Sequence, residues 1–445
     1  MLVDTALQKL ESSGNPIRVA MVGAGATGRA IALQLGTPVP GMRLVAIANR
    51  TLENAERAFR EAGFPKSVPV CSSRELEEQI AHGIPAVTTD PCVLTACGAI
   101  DVLLEVTGTV EPAAGMVLDA FKHGKHVVLV NAELDSLIGP ILKIKADEAG
   151  VVLTHTDGDE PGVAMTLLRY LRTLGLKVVA AGNIKGMVDY YRNPDTQRAF
   201  AERTGQDVRK VTSFADSTKL SMEATVLANA TGFRAGRRGM YGPACSYVRE
   251  VANLLPAEEM IETGLVDFAL GAAPHTGAFA IIYETSPLKK EQLGYYKLGD
   301  GPFYVFYTPF HLPHIQIAST IGRAFLEHDA TVAPLGGPVC EVVSVAKRDL
   351  KAGEHLDGIG GFCTYGLIDN AASARSMNAL PIGLSDGCIL RRNIPKDAVI
   401  GFNDVNLVDP EGLAVVLWRE QNSRWQLAGA NSGESTLEME IAKTR

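Results

Sequence analysis

The chain has 445 residues, 46% of them hydrophobic and 21% charged, enough apolar surface for large buried cores and too little charge for extended disorder. A formal net charge of −8 excludes a general nucleic-acid binder. At about 150 residues per domain, the length implies two to four domains.

Seven cysteines with no C-x-x-C pair are expected to be reduced thiols of a cytoplasmic protein. The opening Met1–Leu10 stretch has a short amphipathic helical pattern, without the basic start and apolar core of a signal peptide. No run approaches the ~18 apolar residues that span a membrane. Neither a membrane nor a nucleic acid is therefore an expected partner.

Ile17 begins an apolar, β-branched run that reaches Gly23-Ala-Gly-Ala-Thr-Gly28 and continues into a helical pattern. Strand, G-x-G-x-x-G loop, helix and a second strand at Leu44–Ala48 make a dinucleotide-binding unit. Gly23 allows the turn, Gly25 admits a pyrophosphate, and Gly28 lets the helix pack on the strand. Ala26 and Thr27 open the helix, whose free N–H groups receive phosphate. The second strand ends in Asn49-Arg50-Thr51, where an NAD site usually places an acid against the ribose. Arg50 would pair with a 2′-phosphate instead, which points to NADPH. A solvated Arg50 and dual cofactor use stay open.

Helices are expected at 52–62, 74–82, 111–122 and 135–149, and strands at 100–108, 126–130 and 151–154. This alternation implies a doubly wound parallel sheet. Ligands bind beyond the carboxyl ends of such strands. Thr107, Gly108, Asn131, Glu133 and Asp157 fall at those ends, the first three as cofactor contacts and the last two as candidates for catalysis.

Asp157-Gly-Asp-Glu160 crowds three carboxylates into four residues. Like charges that close need a cation, and Mg²⁺ or Mn²⁺ suits Asp157, Asp159 and Glu160. Capping of the helix expected at 163–174 is the alternative. A strand at 177–181 runs into Gly182-Asn-Ile-Lys185-Gly, where the Lys185 ammonium can reach a carbonyl. Lys219 enters another helix and shares a face with Glu223 (i, i+4), either as a surface ion pair or as a substrate contact. Arg234, Arg237 and Arg238 lie in a glycine-rich loop that suits a phosphate clamp or a solvated basic loop. His275, His311 and His314 are open between structural and ligand roles, with His275 the candidate for substrate. An aromatic strand at 303–307 and a helix at 315–327, returning toward the nucleotide unit, follow. From about 335 the pattern turns β-rich, with Asp349-Leu-Lys-Ala-Gly353 and Ile394-Pro-Lys-Asp-Ala398 turns.

On these residues the first part resembles homoserine-dehydrogenase-like proteins, and the last part resembles a SAF domain. Asp157–Gly162 and Gly182–Gly186 together resemble the family of 1-deoxy-D-xylulose 5-phosphate reductoisomerase-like enzymes across nearly the whole chain. The chain departs from homoserine dehydrogenases at Asn131-Ala-Glu133, where they carry a lysine after the Asn, and in the acidity of 157–160.

The resemblance implies an α/β fold in three parts. They are a Rossmann domain (1–156), an α+β substrate and dimerisation domain (157–333) and a SAF-like domain (334–445). It implies an NADPH-dependent rearrangement and reduction of 1-deoxy-D-xylulose 5-phosphate to 2-C-methyl-D-erythritol 4-phosphate, an isoprenoid precursor, with a divalent metal. Asp157, Asp159 and Glu160 would serve the metal or proton transfer, Lys185 the carbonyl, and Lys219 with the arginines the phosphate of a small sugar, with Glu133 a further catalytic candidate. The alternatives are a dehydrogenase of homoserine or a sugar acid, and an NADPH-binding sensor. A homodimer or homotetramer is expected from burial of a sheet face against a partner.

Overall fold

A computed structural model describes residues 3–425. The first half is a seven-stranded parallel sheet of β1 (Ile17–Val22), β2 (Met42–Ala48), β3 (Val68–Pro69), β4 (Ala86–Thr88), β5 (Val102–Glu105), β6 (His126–Leu129) and β7 (Leu153–His155). Its order is β3-β4-β2-β1-β5-β6-β7. Helices cover both faces, so strands such as β1 are apolar on both sides and almost wholly buried. The order reverses between β1 and β5, and this switch point opens the crevice where a ligand binds.

The helix expected at 135–149 begins earlier, at Ala132, because the side-chain Oδ1 of Asn131 accepts the Leu134 N–H at 3.0 Å and caps it. Pro140 lies inside it, where a missing donor would open the ladder. Gln421, from the far end of the chain, bridges the gap. Its side chain donates to Leu137 O (3.1 Å) and accepts from Ile141 N (3.2 Å).

A second sheet has the order β11-β10-β8-β9, from β8 (Val178–Lys185), β9 (Leu265–Leu270), β10 (Ala278–Tyr283) and β11 (Phe303–Thr308). The strand expected to stop at 181 runs on, so Lys185 is its last residue. Helices Glu160–Thr173 and Thr218–Thr231 pack on one face through Leu168 and Leu227. Segments Val248–Asn253 and Ala257–Glu262 cover the other through Val251 and Met260. Both faces of this sheet are thus covered by elements of the same chain. Helix Ile317–Leu326 returns to the first sheet, where Ile317 and Ile321 join its core.

The β-rich segment is not an independent appendix. Strands β12 (Cys340–Ala346) and β13 (Thr364–Asn370) place Val342 and Ile368 in the same core as the second-sheet helices. Lys347, 5% exposed, reaches Asp216 (2.9 Å), Arg192 O (2.7 Å) and Gly361 O (2.8 Å). After β14 (Ile389–Leu390) and β15 (Val405–Asn406), helix Leu413–Arg424 packs Ala414 and Leu417 into the core of the first sheet. All seven cysteines are free, and no helix among the described residues is long and apolar enough to cross a membrane.

Candidate active site

The glycine loop has the geometry that a dinucleotide requires. A Cβ on Gly23 (φ +106°) would sit 2.9 Å from Val106 C and O, and one on Gly28 would sit 2.3 Å from Gly23 O. These two glycines hold the loop against β5 and the helix against the loop. Gly25 has nothing within 4 Å of its Cβ position, so its backbone faces open space. Helix Ala26–Gly36 starts there with no side-chain cap, leaving its first N–H groups free for an anion. The residues present therefore fit a dinucleotide.

Before that loop lies a cavity of about 1040 Å³. Gly23, Gly25, Ala26, Thr27, Asn49, Arg50, Thr107, Gly108 and Glu133 line it, whereas Gly28, Thr51 and Asn131 do not. Asn49 is occupied as a brace: its oxygen accepts Ala24 N (3.0 Å) and its amide donates to Thr51 O (2.7 Å). Arg50 is exposed, and no protein acceptor holds its guanidinium among the described residues. Thr107 donates through its N–H (2.9 Å) and its hydroxyl to Glu105, which also accepts from Asn131 at 2.6 Å. Burial drives the Glu105 carboxyl up to about 7, with these donors opposing the shift.

Behind Glu133 lies a buried ionic cluster. Lys219, in the first turn of Thr218–Thr231, stands 3.8 Å from Glu133 and 3.9 Å from Asp159. Lys185 donates to Glu160, and its Nζ is 3.4 Å from Glu223, which also accepts from Asn183 at 3.0 Å. His311 brings its Nε2 within 3.7 Å of Glu160 and its Nδ1 within 3.0 Å of the Thr276 hydroxyl. Beneath them, His155 is sandwiched between Asp159 (Nε2, 2.9 Å) and Asp135 (Nδ1, 3.2 Å). The second contact is a charge contact whose angle falls outside hydrogen-bond range.

The charge states follow from these neighbours. Burial would lower both lysines, but Glu160 and Glu223 raise Lys185, and Glu133 and Asp159 raise Lys219, so both remain ammonium ions. Burial would raise Asp159, yet Lys219 and His155 hold it well below the usual carboxylate range. Glu160 is likewise held low against burial by Lys185 and His311. Burial, with Glu160 beside it, pushes the Glu223 carboxyl well above its ordinary value, against the pull of Lys185 and Lys219. The cluster therefore sets two ammonium ions beside a carboxyl of raised proton affinity, a set suited to polarising an oxygen and moving a proton.

Three expectations change. Asp157 does not join the cluster: its carboxylate accepts from Gly158 N (2.9 Å) and Ser319 (3.2 Å), tying the loop to helix Ile317–Leu326. Asp159 caps helix Glu160–Thr173 by position only, with no side-chain bond to it. The arginine loop is engaged elsewhere. Arg237 donates to Met240 O (2.9 Å) and Tyr241 O (3.1 Å), Arg238 to Asp369 (2.7 Å), and Arg234 is exposed. His275 is exposed in a turn beside Gly186, next to Lys185.

The carboxylates that can share a cation are Asp159, Glu160 and Glu223, with ligand atoms within 4.8 Å of one another. Lys185 already donates to two of the three. The neutralising charge assigned to a metal is supplied by lysines, so a cation does not fit unless Lys185 moves.

Sequence reasoning passed over Glu105, Asp135 and His155, and assigned Glu223 no catalytic role. Their signals were a charged residue ending an apolar strand (Glu105) and i, i+4 spacings at His155–Asp159 and Lys219–Glu223.

Two family models match. Residues 23–140 match the NAD-binding domain of homoserine dehydrogenase, and residues 158–317 match a family described as oxidoreductase DRL, catalytic domain. Neither match reaches the β-rich segment. The homoserine dehydrogenase of Methylobacillus glycogenes is 36% identical over 83 residues, 18% of this chain and 20% of that protein. That of Pseudomonas aeruginosa is 33% identical over 100 residues, 22% of this chain and 23% of that protein. The chain thus matches only about a fifth of the length of these curated relatives. The crystal structure of a homoserine dehydrogenase from Thiobacillus denitrificans is similar over 76% of this chain and 83% of that chain, with a TM-score of 0.43 and 16% identity. The matched segments thus resemble an NAD-binding domain followed by an oxidoreductase catalytic domain.

Proposed function

We propose that the protein is an NADP-dependent oxidoreductase that interconverts a hydroxyl and a carbonyl on a small, polar substrate held at the Lys185–Lys219 cluster. The observation that carries this reading is the pair of lysines, Lys185 against Glu160 and Glu223 and Lys219 against Glu133, a residue that lines the dinucleotide cavity. Arg50 at the end of β2, with no acid beside it, supports the phosphorylated cofactor.

When bound, the dinucleotide supplies or accepts hydride at the substrate carbon. The protein's own groups do the rest. Lys185 and Lys219 hold the substrate oxygen and stabilise the charge that grows on it. Glu223 carries the proton that this oxygen gains, and Asn183 and Lys185 fix its orientation. Glu160 and Asp159 keep the two ammonium ions charged and in place. Burial of Asp159, Glu160 and Glu223 keeps water from the carboxylates.

The test is NADPH oxidation, and NADP⁺ reduction in the opposite direction, across a panel of hydroxy acids, aldehydes and sugar acids. Lys185→Ala is expected to abolish turnover while NADPH binding persists. Unchanged turnover would remove Lys185 from the chemistry. NADPH binding with no oxidation on any substrate would favour the sensor reading.

The finer reading, reductoisomerisation of 1-deoxy-D-xylulose 5-phosphate, rests on the acidic run 157–160 and requires Lys185 to leave Glu160 and Glu223 before a divalent cation enters the Asp159–Glu160–Glu223 group. Its test is turnover of that substrate with and without Mg²⁺ or Mn²⁺, and no turnover in either condition refutes it. A homodimer or homotetramer remains part of the proposal, checked by light scattering.

A further inference from the structure

We infer that Lys210, on a helix outside the nucleotide-binding half, binds the pyrophosphate of the dinucleotide. The inference rests on the cofactor reading above. Lys210 belongs to helix Val208–Ala215, more than a hundred residues beyond the glycine loop in sequence. It nevertheless lines the same cavity as Gly25 and Thr107. Its Nζ lies 3.6 Å from the point that a Cβ would occupy on Gly108, in the turn after β5. That turn adjoins the glycine loop, since the Cβ position of Gly23 is 3.1 Å from Thr107 N. The ammonium therefore stands over the turn that adjoins the glycine loop, in the cavity that Gly25 and Ala26 also line.

Among the described residues, Lys210 Nζ has no carboxylate within ion-pair distance and no hydrogen-bond acceptor, although its side chain is partly buried. Two of the acids that line the cavity are held by backbone donors. Asp207 accepts the Arg209 and Lys210 N–H groups at 3.0 Å, and Glu111 accepts Leu413 N (2.6 Å) and Ala414 N (2.8 Å). A cation positioned over a phosphate-binding loop with no protein partner needs an anion, and the loop supplies one when the dinucleotide is bound. Its place over the Thr107–Gly108 turn, with Arg50 at the end of β2, assigns it to the pyrophosphate that NADPH and NADH share.

The experiment measures dissociation constants of NADPH and NADH by nucleotide fluorescence for the wild-type protein, Lys210→Ala, Lys210→Arg and Arg50→Ala, with the thermal midpoint of each unliganded protein. Lys210→Ala is expected to weaken both nucleotides by the same factor, about tenfold or more. Lys210→Arg should restore most of the loss, and the unliganded midpoint should not move. Arg50→Ala should weaken NADPH alone. Unchanged affinity in Lys210→Ala, or a loss confined to NADPH, overturns the assignment. Failure of the wild-type protein to bind either nucleotide overturns the cofactor reading instead.

Discussion

The sandwich of His155 between Asp135 and Asp159 makes a quantitative claim about stability. The imidazole is fully enclosed, with one nitrogen 2.9 Å and the other 3.2 Å from a carboxylate oxygen. Burial opposes its charge, but the two carboxylates outweigh burial and raise it from 6.5 to about 9. A folded-state pKa above the unfolded value means that the native protein binds the proton more tightly. The contribution is complete below pH 6.5 and is lost as pH rises through about 9. The rise corresponds to about 3 kcal/mol. His155→Gln keeps a hydrogen-bond donor but removes the charge, leaving two buried carboxylates facing each other. Thermal midpoints of the unliganded proteins, taken from about pH 6 to about pH 9.5, should show the variant well below wild type at the acid end, with the gap closing toward the alkaline end. Glu105 titrates in part of this window, but it is common to both proteins and cancels in the difference. A gap independent of pH would refute a charged His155.

Glu223→Gln reproduces the neutral carboxyl in shape, so the thermal midpoint should hold while kcat falls about a hundredfold or more; wild-type kcat would end the proton-donor role. Gly25→Ala meets nothing within 4 Å and should leave the unliganded midpoint unchanged while NADPH affinity drops, whereas Gly28→Ala, whose Cβ falls 2.3 Å from Gly23 O, should lower both. If the two variants behave alike, the division of labour in the loop is wrong. Lys347→Met strands a buried Asp216 and should cost about 3 kcal/mol or more; the added Asp216→Asn should recover part of it, and a midpoint unaffected by Lys347→Met would show that this ion pair does not tie the β-rich segment down.

Much of the first half was legible because its signals are local. A strand, three glycines at fixed spacing and a following helix lie within about twenty residues, and each glycine has a steric reason that can be read from its position. The returning helix near 317–326 was also visible as an apolar pattern. The sequence pattern did not reveal that residues beyond 334 share a core with the second sheet. Apolar residues such as Val342 and Ile368 carry no mark of which surface they will meet.

By itself the sequence determined a dinucleotide-binding α/β half, an acidic loop after it, and lysines at a strand end and a helix start beyond that loop. Only the tertiary structure decided what those charges are for. It brought Lys185 to Glu160 and Glu223, turned Asp157 away to Ser319, and engaged Arg237 and Arg238 in backbone and Asp369 contacts. The reason is physical. A carboxylate acquires its protonation state and its partner from burial and from charges a few ångströms away, and here those neighbours come from strands and helices far apart in the chain.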